Sequence, residues 1–128
     1  MIISGKVLTD EGFKNIEEIE RTQVIINSDI HKHIVIKTES SKVREIVTFA
    51  KNTNLIISAD TSFKTMYGTF TYDTLPEDKI AYFQLPNKKV VKDKLTKVIL
   101  DEPTDGYNLY IDGNVNYVYC ENYKIEAY

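Results

Sequence analysis

Short apolar runs recur along the chain: Lys6-Val7-Leu8, Gln23-Val24-Ile25-Ile26, Ile34-Val35-Ile36, Glu45-Ile46-Val47-Thr48-Phe49, Leu55-Ile56-Ile57, Lys79-Ile80-Ala81-Tyr82-Phe83 and Val98-Ile99-Leu100. A further stretch from Tyr107 to Tyr119 is rich in Tyr, Val and Ile. Turn-forming residues separate the runs, among them Asp10-Glu11-Gly12, Asn27-Ser28-Asp29, Asn52-Thr53-Asn54, Tyr67-Gly68, Pro86-Asn87 and Asp112-Gly113-Asn114. Runs of about four to six residues have the usual length of strands. Many such runs, regularly interrupted, predict an all-β domain. Gly12 to Glu20 has room for one helical turn, and Asp93 to Ile99 reads as a short helix or a strand.

Composition supports sheet: nine Tyr and five Phe join many Ile, Val and Thr, the types that pack on a pleated surface. With 128 residues, 42% hydrophobic and 27% charged, residues 1–128 read as one domain with a real core. A net charge of −3 disfavours a general nucleic-acid binder. No apolar run approaches the ~20 residues of a membrane span. The N-terminus lacks the basic and apolar regions of a signal peptide, so virion or host cytoplasm is expected rather than secretion. One cysteine, Cys120, excludes an internal disulfide, and with only two histidines no structural zinc site or other cofactor is expected. The segment Lys88 to Lys97 carries five Lys against one Asp, which reads as a solvated strand edge or a patch for phosphate or an acidic partner.

Three regions, in order, resemble the hedgehog/intein (Hint) family, whose members cut or splice their own backbone. The first is Val7-Leu8-Thr9, Gly12 and Ile16-Glu17-Glu18-Ile19. The second is Ser58-Ala59-Asp60-Thr61, followed by Phe63, Thr65, Gly68 and Leu75; here Pro76-Glu77-Asp78 replaces the family's Gly-Asp turn. The third is Tyr107 to Tyr119, similar to an extended hairpin, followed by Ala127 and Tyr128 where the family has His and Asn. The resemblance implies a compact horseshoe of short strands, with pseudo-two-fold β subdomains and adjacent termini.

It also implies a chemistry that needs particular residues. In the family a Cys or Ser about a dozen residues before the first-region Gly attacks the preceding carbonyl. Counting back from Gly12 puts that position one before Met1. A second-region His protonates the leaving amide nitrogen, and Thr61 stands in its place. A terminal Asn cyclises with help from the preceding His, and Ala127 and Tyr128 can do neither. The expectation is that no catalytic residue remains: Thr61, Ala127 and Tyr128 mark degenerate family positions.

Other constellations are weaker. His31 and His33, with Asp29, could share one face of a strand, but a third strong metal ligand is missing, so no metal site is expected. Cys120 reads as a small buried residue more readily than as a nucleophile. Glu17-Glu18-Glu20 and Asp101-Glu102 read as solvated turns. Tyr107, Tyr110, Tyr117, Tyr119 and Tyr123 crowd the C-terminal part and are candidates for a protein interface, with some packing on the domain itself. The combined expectation is a non-catalytic Hint-like module for protein interaction or assembly, set in the capsid or tail of a bacteriophage, whose partners are copies of itself or other virion proteins. The alternative is a self-splicing or self-cleaving element whose active residues are lost or trimmed. No membrane or nucleic-acid partner is expected.

Overall fold

The computed structural model describes residues 1–26, 32–113 and 116–128. The strands are β1 (Ile2–Ser4), β2 (Lys6–Thr9), β3 (Gly12–Asn15), β4 (Val24–Ile26), β5 (Lys32–Phe49), β6 (Ile56–Ser58), β7 (Phe63–Thr65), β8 (Gly68–Phe70), β9 (Ile80–Gln84), β10 (Val90–Ile111), β11 (Tyr117–Cys120) and β12 (Tyr123–Glu126). Among the described residues the sole helical element is a 3-10 turn at Ile16–Glu18. The all-β reading holds, and the strands join in one antiparallel network ordered β8-β7-β12-β11-β2-β4-β5-β6-β1-β10-β9. The Gly12 to Glu20 segment is therefore part strand and part 3-10 turn, and Asp93 to Ile99 is strand.

Two long strands organise the sheet. β5 runs for 18 residues and β10 for 22, and they pair from Leu95↔Phe49 to Ile111↔Val35. Each changes neighbours along its length: β5 takes β4 near one end and β6 near the other, while β10 starts against β9. Between Ile99↔Glu45 and Thr104↔Val43 the register slips, so Leu100 to Pro103 face Arg44 alone. Proline has no N–H for the ladder, and the Arg44 guanidinium donates to the Asp101 carbonyl at 2.7 Å across the gap.

The segments that carry the resemblance turn by one device. In the β2–β3 hairpin the Thr9 hydroxyl donates to the Gly12 carbonyl at 2.6 Å and accepts from the Glu11 N–H at 3.1 Å. In the β7–β8 hairpin Thr65 does the same with Gly68 at 2.9 Å and Tyr67 at 3.1 Å. Both glycines sit at positive φ, +96° and +125°, where a Cβ is strained. Thr-x-x-Gly is thus a local code used twice, which keeps these segments readable.

The expected Tyr107–Tyr119 hairpin is not formed in that way. Tyr107 to Ile111 pairs with β5, from Ser40 to Val35, whereas Tyr117–Cys120 pairs with β12. The tight hairpin is β11–β12, turning through Glu121 and Asn122 at φ +48° and +68°. Two successive left-handed residues are what a hairpin turn matched to strand twist requires. This turn is hard to read from residue types because Glu is an unusual residue there. Glu121 is held by its own contacts: its carboxylate accepts from Lys6 N–H at 3.1 Å and its carbonyl from the Asn52 amide at 2.7 Å.

Beneath the sheet an aromatic knot forms the centre of the core. Phe83 and Tyr123 stack at 3.9 Å with planes 4° apart, and Phe49 meets both edge-on at 5.8 and 5.6 Å. Val7, Val47, Leu55, Ile57, Leu95 and Ile125 are fully buried around it.

Candidate functional site

Two hydroxyls of the second region, Ser58 and Thr61, gather at Met1. β6 ends at Ser58, and a turn closed by Thr61 N–H to the Ser58 carbonyl at 3.0 Å brings both hydroxyls to one side. The Met1 amino group donates to Ser58 Oγ at 2.9 Å and to Thr61 Oγ1 at 2.7 Å. The Met1 carbonyl accepts from Ser58 N–H at 2.8 Å and from the Thr61 hydroxyl at 3.1 Å. Ser58 Oγ also donates to the Asp60 carboxylate at 2.7 Å and lies 2.6 Å from Thr61 Oγ1. Thr61 and Ser58 are nearly solvent-free. Burial pushes the Met1 amine below its ordinary range, opposed in part by Asp60 and Glu126.

The nitrogen held by Ser58 and Thr61 is that of Met1 itself. The pairing of β1 with β6 is irregular between Ile2 and Ser4. Gly5, at φ +143°, lies packed against Cys120. The Met1 side chain is a thioether, which is no acyl-accepting nucleophile.

The other end of the chain reaches the same place. Tyr128 N–H donates to the Leu109 carbonyl and its carbonyl accepts from Ile111 N–H, both at 2.7 Å. Ala127 is buried and its N–H donates to Asn116. Met1, Ser58, Asp60, Asn108, Glu45 and Tyr128 line an open cleft of about 470 Å³. The termini are adjacent, as the resemblance implies. The Tyr128 phenol is raised to about 12 by burial and by Glu126 and Asp60. The Asn108 side-chain oxygen is buried without a hydrogen-bond partner among the described residues.

What this cluster can do chemically is hold a nitrogen and a carbonyl in fixed positions. Neither Ser58 nor Thr61 exchanges a proton near neutral pH as an imidazole would. Ala127 offers no functional group, and the Tyr128 phenol stays protonated at neutral pH.

The tyrosine candidates divide. Tyr123 is buried in the aromatic knot, which corrects its reading as an interface residue: its ring is already packed on both sides. Its hydroxyl donates to the buried Asp93 at 2.8 Å, a core pair the sequence did not single out. Tyr119 is largely buried, and Tyr107, Tyr110 and Tyr117 are half-buried. Tyr110 donates to Glu39 at 2.8 Å and lies under the Lys37 ammonium. His33 Nδ1 sits 3.0 Å from the Asp112 carbonyl, while His31 and Asp29 lie outside the described residues. Cys120 is fully buried and its thiol is pushed up by burial, as a packing residue would be.

Neither a family model nor a curated protein matches the sequence. Solved structures do match. A bacterial intein-like domain from Clostridium thermocellum superposes with a TM-score of 0.77 at 17% identity, covering 99% of this chain and 98% of that one. The gp41-1 intein gives 0.75 at 16% identity, over 98% and 95% of the two chains. A DnaB intein from Synechocystis sp. PCC 6803 gives 0.72 at 14% identity, over 99% and 98%. Over nearly its whole length, then, this chain has the Hint fold of inteins and bacterial intein-like domains.

Proposed function

We propose that this chain is a Hint-fold domain without self-processing activity, serving as a protein-interaction or assembly module. The observation that carries the reading is the content of the Met1 cluster. The framework that would grip a scissile peptide is kept, with hydrogen bonds to the nitrogen and carbonyl of Met1. The groups that would do the work are a thioether at Met1, a hydroxyl at Thr61, and Ala127-Tyr128 at the far end. General acid–base assistance is worth roughly 10²- to 10⁴-fold on its own, and here it is lost with the nucleophile and the cyclising amide. A bacteriophage capsid or tail is the setting we favour, by analogy of fold use alone.

The second reading, a splicing or cleaving element, draws on one observation: Met1 and Tyr128 share a cleft, so flanks attached there would meet. One experiment separates the two. The domain is fused between two short peptides and followed by intact mass, alongside a variant carrying Met1→Cys, Thr61→His, Ala127→His and Tyr128→Asn. The proposal predicts an uncut fusion for the native sequence. Ligated or released flanks from the native sequence would refute it. The assembly part is tested by light scattering of the purified chain with and without candidate virion proteins, and a monomer under every condition would overturn that part.

A further inference from the structure

Two sequence features remain unused by this reading, the lysine run and the C-terminal tyrosines. The fold brings Lys88, the first residue of that run, to Tyr117 and Tyr119, and adds Lys64 and Lys124 from outside it. Lys64 on β7 pairs directly opposite Lys124 on β12, and Lys124 pairs directly opposite Tyr119 on β11. These three register positions form a row across one face of the sheet. Lys88, from the turn before β10, joins Tyr117, Tyr119 and Lys124 around a depression of about 140 Å³. A second depression of about 170 Å³ shares Tyr117 and adds Lys64.

Several features of this arrangement work against the stability of the chain alone. Like charges directly opposite each other across strands repel. Among the described residues no carboxylate forms an ion pair with Lys64, Lys88 or Lys124. Burial and the nearby Lys64 and Lys88 lower the pKa of Lys124. Lys88 is held at φ +70°, a conformation that Gly or Asn would adopt at less cost. The ammonium groups rest instead on aromatic faces, Lys64 4.7 Å and Lys124 5.2 Å from the Tyr117 ring centre. Glu126 bounds the second depression, but its carboxylate accepts from Ser62 N–H at 3.1 Å.

We propose that Lys64, Lys124 and Lys88 form a phosphate site, with Tyr117 as the stacking surface for an attached base, so that the ligand is a nucleoside phosphate. A phosphate between Lys64 and Lys124 replaces repulsion by two charge-assisted contacts and draws the ammonium groups off the ring. The exposed ring face then accepts a flat heterocycle. The same chemistry comes from a free nucleotide or from one unit of a single strand.

The test is an NMR titration at low ionic strength with inorganic phosphate, adenosine, adenosine monophosphate and oligothymidylate. Saturable shifts centred on Lys64, Tyr117, Tyr119 and Lys124 are expected, with the monophosphate tighter than either phosphate or adenosine. Lys64→Gln and Lys124→Gln should each weaken the monophosphate about tenfold, while Lys42→Gln, a solvent-exposed lysine elsewhere, leaves it unchanged. Oligothymidylate binding more tightly, with a steep salt dependence, identifies a single strand as the source; equal or weaker binding identifies the free nucleotide. No saturable shift with any probe, adenosine binding as well as its monophosphate, or equal loss in Lys42→Gln would each overturn the site.

Discussion

Removing one oxygen from Tyr123 tests whether the core depends on a buried polar pair. Asp93 is 1% exposed and accepts from the Tyr123 hydroxyl at 2.8 Å and from Lys51 N–H at 2.9 Å. Tyr123→Phe keeps the ring that stacks on Phe83 at 3.9 Å, so little packing is lost. What changes is Asp93 Oδ2, left buried without its donor. Stranding a buried acceptor costs about 1–3 kcal/mol, and more for a charged one, so we expect a loss near 2–3 kcal/mol by urea denaturation. The pH dependence adds a second readout. Burial and Asp93 raise the Tyr123 pKa above the ordinary tyrosine value of 10.0. The native state therefore holds this proton where the unfolded state releases it, and stability falls as pH rises above about 10. Below that the contribution is fully present. The Phe variant should lack this share of the alkaline decline, and Asp93→Asn should reduce it. In a double-mutant cycle, Tyr123→Phe and Asp93→Asn should couple by about 1–3 kcal/mol. A Tyr123→Phe variant within 0.5 kcal/mol of the parent, with an unchanged alkaline slope, would refute the argument.

Other outcomes follow from single positions. Gly5→Ala should destabilise by about 2–4 kcal/mol in urea melts, because its Cβ would come 2.6 Å from Cys120 Sγ at φ +143°. Asn122→Ala should cost about 1 kcal/mol through its left-handed backbone, with Asn122→Gly near neutral. Cys120 should react with an aromatic disulfide reagent only at the rate of unfolding, and fast labelling in native buffer would contradict its burial. Thr61→Val should lower the melting temperature by removing one of the two hydrogen-bond partners of the Met1 amine and one of the two of its carbonyl, at about 1–2 kcal/mol, with Thr61→Ser close to the parent.

The parts of the fold legible in the sequence are those fixed locally. Thr9 to Gly12 and Thr65 to Gly68 close their turns with their own atoms, so the residues announce the geometry. Short apolar runs with branched side chains marked most strands. What stayed hidden depends on distant partners. Tyr107 to Ile111 could not be told from a hairpin arm because β5, its true partner, is far away in sequence. Tyr123 and Tyr119 share residue type and neighbourhood with Tyr117, yet the Asp93 carboxyl and two phenylalanines draw Tyr123 inward. The Met1 cluster was half legible: Ser58 and Thr61 were found by their spacing, while the seat of the Met1 amine between their hydroxyls depends on the pairing of β1 with β6.

The shared cleft at Met1 and Tyr128 also has a mechanical consequence. Force applied to flanks on the two ends would first load the few hydrogen bonds that tie Met1 to Ser58 and Thr61, and Tyr128 to Leu109 and Ile111. Adjacent attachment points turn the load into peeling, bond after bond, rather than shearing of β5 against β10. A domain spliced into a stretched assembly at this point would therefore yield from its cleft outward, and β12 would carry the load to Tyr123 of the aromatic knot.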